Sequence, residues 1–272
     1  MAWQSAGTRL DSWRSSKCAT SLQFVCPESR TMQQSLDLDE PDGTVFVFLD
    51  ESYDPFVAAA AVVIEATDVH RLDSDITTTY ERMQGWYRLG GLPSFEEFRE
   101  RGFHATSDPP EVQIAFVGLL AEVLNFKSLI SYSDGSARAD LSEKKRLMIV
   151  FDQLLRDVLR AYKGRPKLIL YFESAHGMDR YLTRLVSRVL RTSQRKRPEV
   201  EIRFGTKRDP DLLAVPDYVL YVFNRWRVTQ EGGAWNLDPE KHQARSFKAI
   251  LGSVSIARSL EHRDIIRRSI DD

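Results

Sequence analysis

The chain predicts an α/β fold built on a mixed sheet, and three observations carry that prediction. Short continuous apolar runs rich in β-formers recur along it, amphipathic segments of helical period separate them, and the first two runs are joined by a tight turn. Val45 to Leu49 is the first run, of the kind found in strands buried on both faces. Val57 to Ile64 follows after Asp54-Pro55, so the two are expected to pair as an antiparallel hairpin. Residues 69–87 read as helix until Gly90-Gly91-Leu92-Pro93 breaks the pattern. A short segment ending in Phe103-His104-Ala105-Thr106 leads into a helix from Pro110 to Asn125, with proline suited to its first turn. Lys127 to Ser133 reads as strand, and Asp140 to Tyr162 as an amphipathic helix stopped by Gly164 and Pro166. Lys167 to Phe172 is the next buried strand, then a helix over 178–193 and a strand from Val200 to Phe204. Helices over 215–227 and 240–268 are expected to close the chain.

Length and composition bound the rest. The 272 residues, 42% of them hydrophobic, suffice for one large core without disulfides or structural metal. Residues 1–40 have scattered apolar positions and read as a mobile leader, which leaves a single domain over 44–270. Met32, just ahead of the first strand, is a candidate translation start. Cys18 and Cys26 both fall in the leader and form neither a disulfide framework nor a zinc pattern. No apolar stretch is long enough for a membrane helix or a secretory signal, so the expectation is a cytoplasmic protein without a membrane partner. Thirty-eight basic residues against 39 acidic ones give a net charge of −1, so any nucleic-acid surface must come from local segregation of charge. P-loop, dinucleotide and HExxH patterns are missing from the sequence, which disfavours those enzyme classes.

Two apolar strands end in acids, Asp50-Glu51 and Glu173, and sites in α/β sheets collect at the carboxyl ends of strands. Asp217 stands at the head of the apolar segment Tyr218 to Phe223. Singly, each acid reads as a solvated strand end, and Asp217 as a helix cap. Together, three carboxylates repel and resist burial unless neutralised, and a hard divalent cation, Mg²⁺ or Mn²⁺, does that with oxygen ligands. Such a cluster suits phosphodiester hydrolysis, with metal activating water and stabilising the leaving oxygen. Glu51 would be a fourth ligand or a supporting residue, since neighbouring strand residues point to opposite faces.

Four blocks in order resemble the family known as domain of unknown function 3800, of the ribonuclease-H-like superfamily. They are Phe48-Leu49-Asp50-Glu51-Ser52-Tyr53-Asp54, Phe103-His104-Ala105-Thr106-Ser107-Asp108 with Pro110-Glu111-Val112, Leu170-Tyr171-Phe172-Glu173-Ser174, and Leu212 to Tyr221 with Asn224-Arg225. The resemblance spans roughly 44–260. It implies a ribonuclease-H-like mixed β-sheet flanked by helices, with helical additions. It also implies a nuclease site in which Asp50, Glu173 and Asp217 hold metal. The chain departs from the family pattern at Tyr53, where glycine is usual, at Glu173, where aspartate is, at Ala214, where glutamine is, and at Pro216, where alanine is. Those departures keep a second possibility open: a catalytically inactive nucleic-acid-binding or protein-interaction module of the same fold.

Other residues invite a role beside a bland alternative. His104 could protonate a leaving group or contact a phosphate, or be a structural histidine on a backbone carbonyl. His176 lies close to Glu173 in sequence. Ser52 and Ser174 follow acids and are expected to cap or hydrogen-bond them. Arg180, Arg184, Arg188, Arg191 and Arg195 share a helix face, extended by Lys196, Arg197, Arg203, Lys207 and Arg208. That patch could neutralise the backbone of DNA or RNA, or be an ordinary solvated face. Trp226, Arg227 and Trp235 could stack on unpaired bases or pack under the last helix. Oligomeric state is not legible.

Overall fold

The computed structural model describes residues 40, 42–123, 125–136, 140–174, 178–192, 197–207, 211–230, 241–262 and 266–267. The readings made on Cys18, Cys26, Met32, His176, Arg195, Lys196, Arg208 and Trp235 lie outside the described residues.

Strands β1 (Val45–Ser52) and β2 (Val57–Glu65) form the expected antiparallel hairpin, with Val45 opposite Glu65 and Ser52 opposite Ala58. The turn between them contains a cis Asp54–Pro55 bond, and no described non-glycine residue has positive φ. Tyr53 therefore needs no glycine-like backbone. Helices α1 (Ala66–Gln84), α2 (Pro93–Arg101) and α3 (Pro110–Val123) lead to β3 (Lys127–Ser133), which pairs antiparallel with β2. Helix α4 (Glu143–Ala161), β4 (Lys167–Glu173), α5 (Asp179–Thr192) and β5 (Glu199–Gly205) come next, and β4 lies parallel to both β1 and β5. The chain continues with α6 (Ala214–Arg227), α7 (His242–Ile250), β6 (Val254–Ser259) and the two-residue β7 (Ile266–Arg267). The mixed seven-stranded sheet has the order β5-β4-β1-β2-β3-β6-β7.

Alternation along the strands sorts the core into two layers. Phe46 and Phe48 of β1, with Ile169 and Tyr171 of β4, face the layer built from α1, α2, α3, α6 and α7. Val45, Val47 and Leu49, with Leu168, Leu170 and Phe172, face α4 and α5. The fully buried run Ala58 to Ala61 gives β2 little side-chain bulk, and α4 and α6 both pack against that strand from opposite sides. Helix α4 sends Leu147, Val150, Phe151, Leu154 and Val158 inward at the i, i+3, i+4 spacing of an apolar stripe.

Two sequence expectations need correction. Residues 240–268 are not one helix: α7 ends at Ile250, and Val254–Ser259 is a strand parallel to β3. Without it, the N–H and C=O groups along β3 would lack ladder partners on that side, so sheet pairing overrode the local helical pattern. Also, the break at Gly90 to Pro93 is followed by α2, with Pro93 in its first turn, where a missing N–H costs nothing. Among the described residues no helix is long and apolar enough to cross a membrane.

Candidate active site

Strands β1, β3, β4, β5 and β6 all run the same way, so their carboxyl ends share one edge of the sheet. Asp50 continues the face of Phe46 and Phe48, and Glu173 continues that of Ile169 and Tyr171. Helix α6 covers this face and supplies Asp217 from its first turn, where Pro216 also fits. Three carboxylates from distant segments are thereby brought to one place.

Their common neighbour is Lys207, in the turn after β5. Its ammonium nitrogen lies 3.2 Å from Asp50 Oδ2, 3.2 Å from Glu173 Oε2 and 2.9 Å from Asp217 Oδ2. The sequence reading placed Lys207 in the basic patch that extends the 178–193 helix face; the structure buries it, 8% exposed, inside the acid cluster. A signal existed in the sequence: Lys207 lies just past the carboxyl end of a strand, where sites collect.

Among the described residues, charge in this cluster does not balance. Three acids meet one ammonium, and Glu51 is close enough to feel both Glu173 and Lys207. Burial pushes the Asp50 carboxyl well above the usual range; Lys207 opposes this, and Asp217, Glu173 and Glu51 add to it. Burial, then the charge of Glu173, raises Glu51 to about 7. Burial alone would lower the Lys207 pKa, but Asp50, Asp217 and Glu173 together hold it above the ordinary lysine value. Asp50 Oδ2 is buried, with the Lys207 ammonium at 3.2 Å as its charged neighbour. The cluster opens to solvent on the Glu173 side, where that side chain is 29% exposed against 4% for Asp50.

The segment before α3 lines the site. The Ala105 N–H donates to Asp217 Oδ2 at 3.0 Å, and the His104 N–H to Asp108 Oδ2 at 2.9 Å. Asp108 also accepts the Tyr218 hydroxyl, and burial raises its pKa to about 7 against those two hydrogen bonds. The His104 side chain is half-buried. Burial, then the Lys207 charge, lowers its pKa. Asn224 donates to the Ser52 hydroxyl at 3.0 Å, and Ser174 to Asp179 at 3.2 Å. Asp108, Gln113, Tyr218 and Asn224 were missed as supporting residues, because their partners are more than 100 positions away or on the backbone of a turn.

The basic helix face does not join this cluster. Leu182, Leu185, Val186 and Val189 seat α5 on the α4 layer, so the sheet lies between the exposed Arg180, Arg184, Arg188 and Arg191 and the residues Asp50 and Asp217. Arg188 pairs with Asp152 of α4 at 3.0 Å. Arg203 is part of a separate network with Glu201, Glu40 and Tyr171. Trp226 is no stacking platform: it is fully buried, parallel to Phe247 of α7 at 4.3 Å, while Arg227 donates to the Tyr132 hydroxyl.

As they stand, no three Asp, Glu, His or Cys side chains among the described residues close on one metal-sized point. The carboxylates are spaced by the ammonium instead, at distances about 1 Å longer than Mg–O bonds of roughly 2.1 Å. The donor set nonetheless has the chemistry a hard divalent cation takes: it is all oxygen, and among the described residues its acids outnumber its bases. No protein-family model matches the chain, and no curated protein is significantly similar to it.

Proposed function

We propose that this protein is a divalent-metal-dependent nuclease that hydrolyses phosphodiester bonds in DNA or RNA, on a ribonuclease-H-like sheet. The observation that carries this reading is the convergence of Asp50, Glu173 and Asp217 around the Lys207 ammonium, the one base described among them. An acid cluster built for stability alone would be charge-matched, because unpaired buried charge is costly. The mixed sheet that opens with a hairpin and carries its acids at the carboxyl edge supports the resemblance. Asp50, Glu173 and Asp217 would hold Mg²⁺ or Mn²⁺, with Glu51 beside them. When bound, that ion supplies Lewis acidity to water and to the phosphoryl oxygens. Asp217 is fixed by the Ala105 N–H, and His104, close enough to feel Lys207, Asp217 and Glu173, would protonate a leaving group or contact a phosphate. The α5 arginines lie on the other layer, so a strand touching both would have to wrap around the carboxyl edge.

A second reading has one observation of its own. Lys207 already stands at the centre of the carboxylates, as a permanent counter-ion would in a non-catalytic binding module of this fold. Calorimetry with Mg²⁺ and Mn²⁺ separates the two, comparing wild type with Asp50→Asn/Asp217→Asn. Binding to the wild type that the double variant lacks, with metal-dependent cleavage of an oligonucleotide that Asp217→Asn loses, is the expected result. A folded wild type that takes no metal, even with oligonucleotide present, overturns the nuclease reading. Salt-sensitive nucleic-acid affinity in EDTA would then identify a binder.

A further inference from the structure

We propose that the groove between α3, α6 and α7 is a nucleotide subsite serving the acid cluster, with the ring against Ile114 and Val117 and the phosphate on Arg225. The inference rests on reading the cluster as a phosphodiester site. The cavity measures about 280 Å³ and is lined by Ile114, Val117, Tyr221, Arg225 and His242, among others. It lies at the small end of ligand sites, with room for one ring system rather than for a peptide helix. Ile114 is 61% exposed on its wall, a large apolar side chain left facing water.

Arg225 supplies the charge complementarity. It is exposed, its guanidinium lies 5.2 Å from the Tyr221 ring centre, and it donates to the Tyr221 hydroxyl. Among the described residues no acid pairs with it, whereas Arg99, Arg101, Arg156 and Arg188 each face a carboxylate. A guanidinium held by a neutral partner keeps donors free for an anion, and phosphate suits its fork.

The groove is also wired to the cluster. The Tyr221 hydroxyl donates to Gln113 Oε1 at 2.8 Å, Gln113 Nε2 donates to the Ala105 carbonyl at 2.8 Å, and the Ala105 N–H holds Asp217. Along α6, Tyr221 is one turn and Arg225 two turns from Asp217, about 12 Å of helix axis. A strand whose phosphate sits at the cluster would lay a neighbouring nucleotide along this helix and into the groove.

The test uses the full chain in EDTA, so that metal plays no part, and follows adenosine 5′-monophosphate, inorganic phosphate and adenosine by calorimetry and ligand-observed NMR. The wild type should bind the nucleotide more tightly than either fragment. Arg225→Gln should weaken it about tenfold or more, the scale of one charge-assisted contact. Ile114→Trp fills the groove from an exposed position and should abolish binding. Absence of nucleotide binding to the wild type, or binding that both variants retain, overturns the subsite; phosphate binding as tightly as the nucleotide overturns the placement of the ring. Nucleotide binding without metal-dependent cleavage sinks the nuclease reading and leaves the groove standing. Cleavage without nucleotide binding sinks the groove alone.

Discussion

Two ionic clusters on the same sheet differ in a way that separates a structural network from a candidate site. Towards the amino end of the parallel strands, Glu40 and Glu201 meet Lys167 and Arg203, two acids and two bases, in four ion pairs of 2.5 to 3.0 Å. Despite burial, its two bases hold Glu201 below the usual carboxylate range, and its acids hold Lys167 and Arg203 above theirs. At the carboxyl edge three acids share one base, and burial drives Asp50 the other way, well above its usual value. The balanced network is complete in itself. The unbalanced one leaves more acid than base among the described residues, and burial with that excess raises its carboxyl pKa values.

The sharpest way to break the contrast is Lys207→Met. Removing the one ammonium described there leaves buried acids uncompensated, a loss of about 3–5 kcal/mol by the usual cost of breaking a buried pair. Under the nuclease reading, thermal melts of this variant should recover with Mg²⁺ or Mn²⁺; a deficit that neither ion repairs would make the lysine a permanent counter-ion. A smaller effect is expected from Arg203→Gln. It should cost on the order of 1–3 kcal/mol, as for hydrogen bonds to charged groups, and leave metal titrations unchanged. Altered metal affinity in that variant would show that the two clusters are coupled rather than separate.

The third effect is a slope with pH. Asp108 has a folded pKa of about 7, above its unfolded value near 3.8, so the native state holds a proton that the unfolded chain has released between those limits. Its contribution is fully present below about pH 4 and is lost as pH rises towards 7. Metal-free protein should therefore melt lower at pH 7.5 than at pH 5, and Asp108→Asn should flatten part of that slope. An unchanged slope in the variant would mean that Asp108 is ionised throughout.

Sequence by itself determined the strands that build the sheet and the acids that end them. Val45 to Leu49 and Lys167 to Phe172 are continuous apolar runs because both their faces are covered, and that burial is written locally. Asp50, Glu173 and Asp217 were legible because each ends or opens such a run. Tertiary structure decided the remainder. Lys207 looks like one more member of a basic stretch until β5 is set beside β4, 34 positions after Glu173 in the chain. The helical period placed the arginines of α5 on one face, but only the layering showed that this face lies across the sheet from the acids. Residues 254–259 became strand because β3 offered an edge, and Arg225 met the groove because α3 and α7 close against α6. Local pattern records what a segment must bury. Which charges then meet depends on pairings among segments far apart in the chain, and no window of sequence contains them.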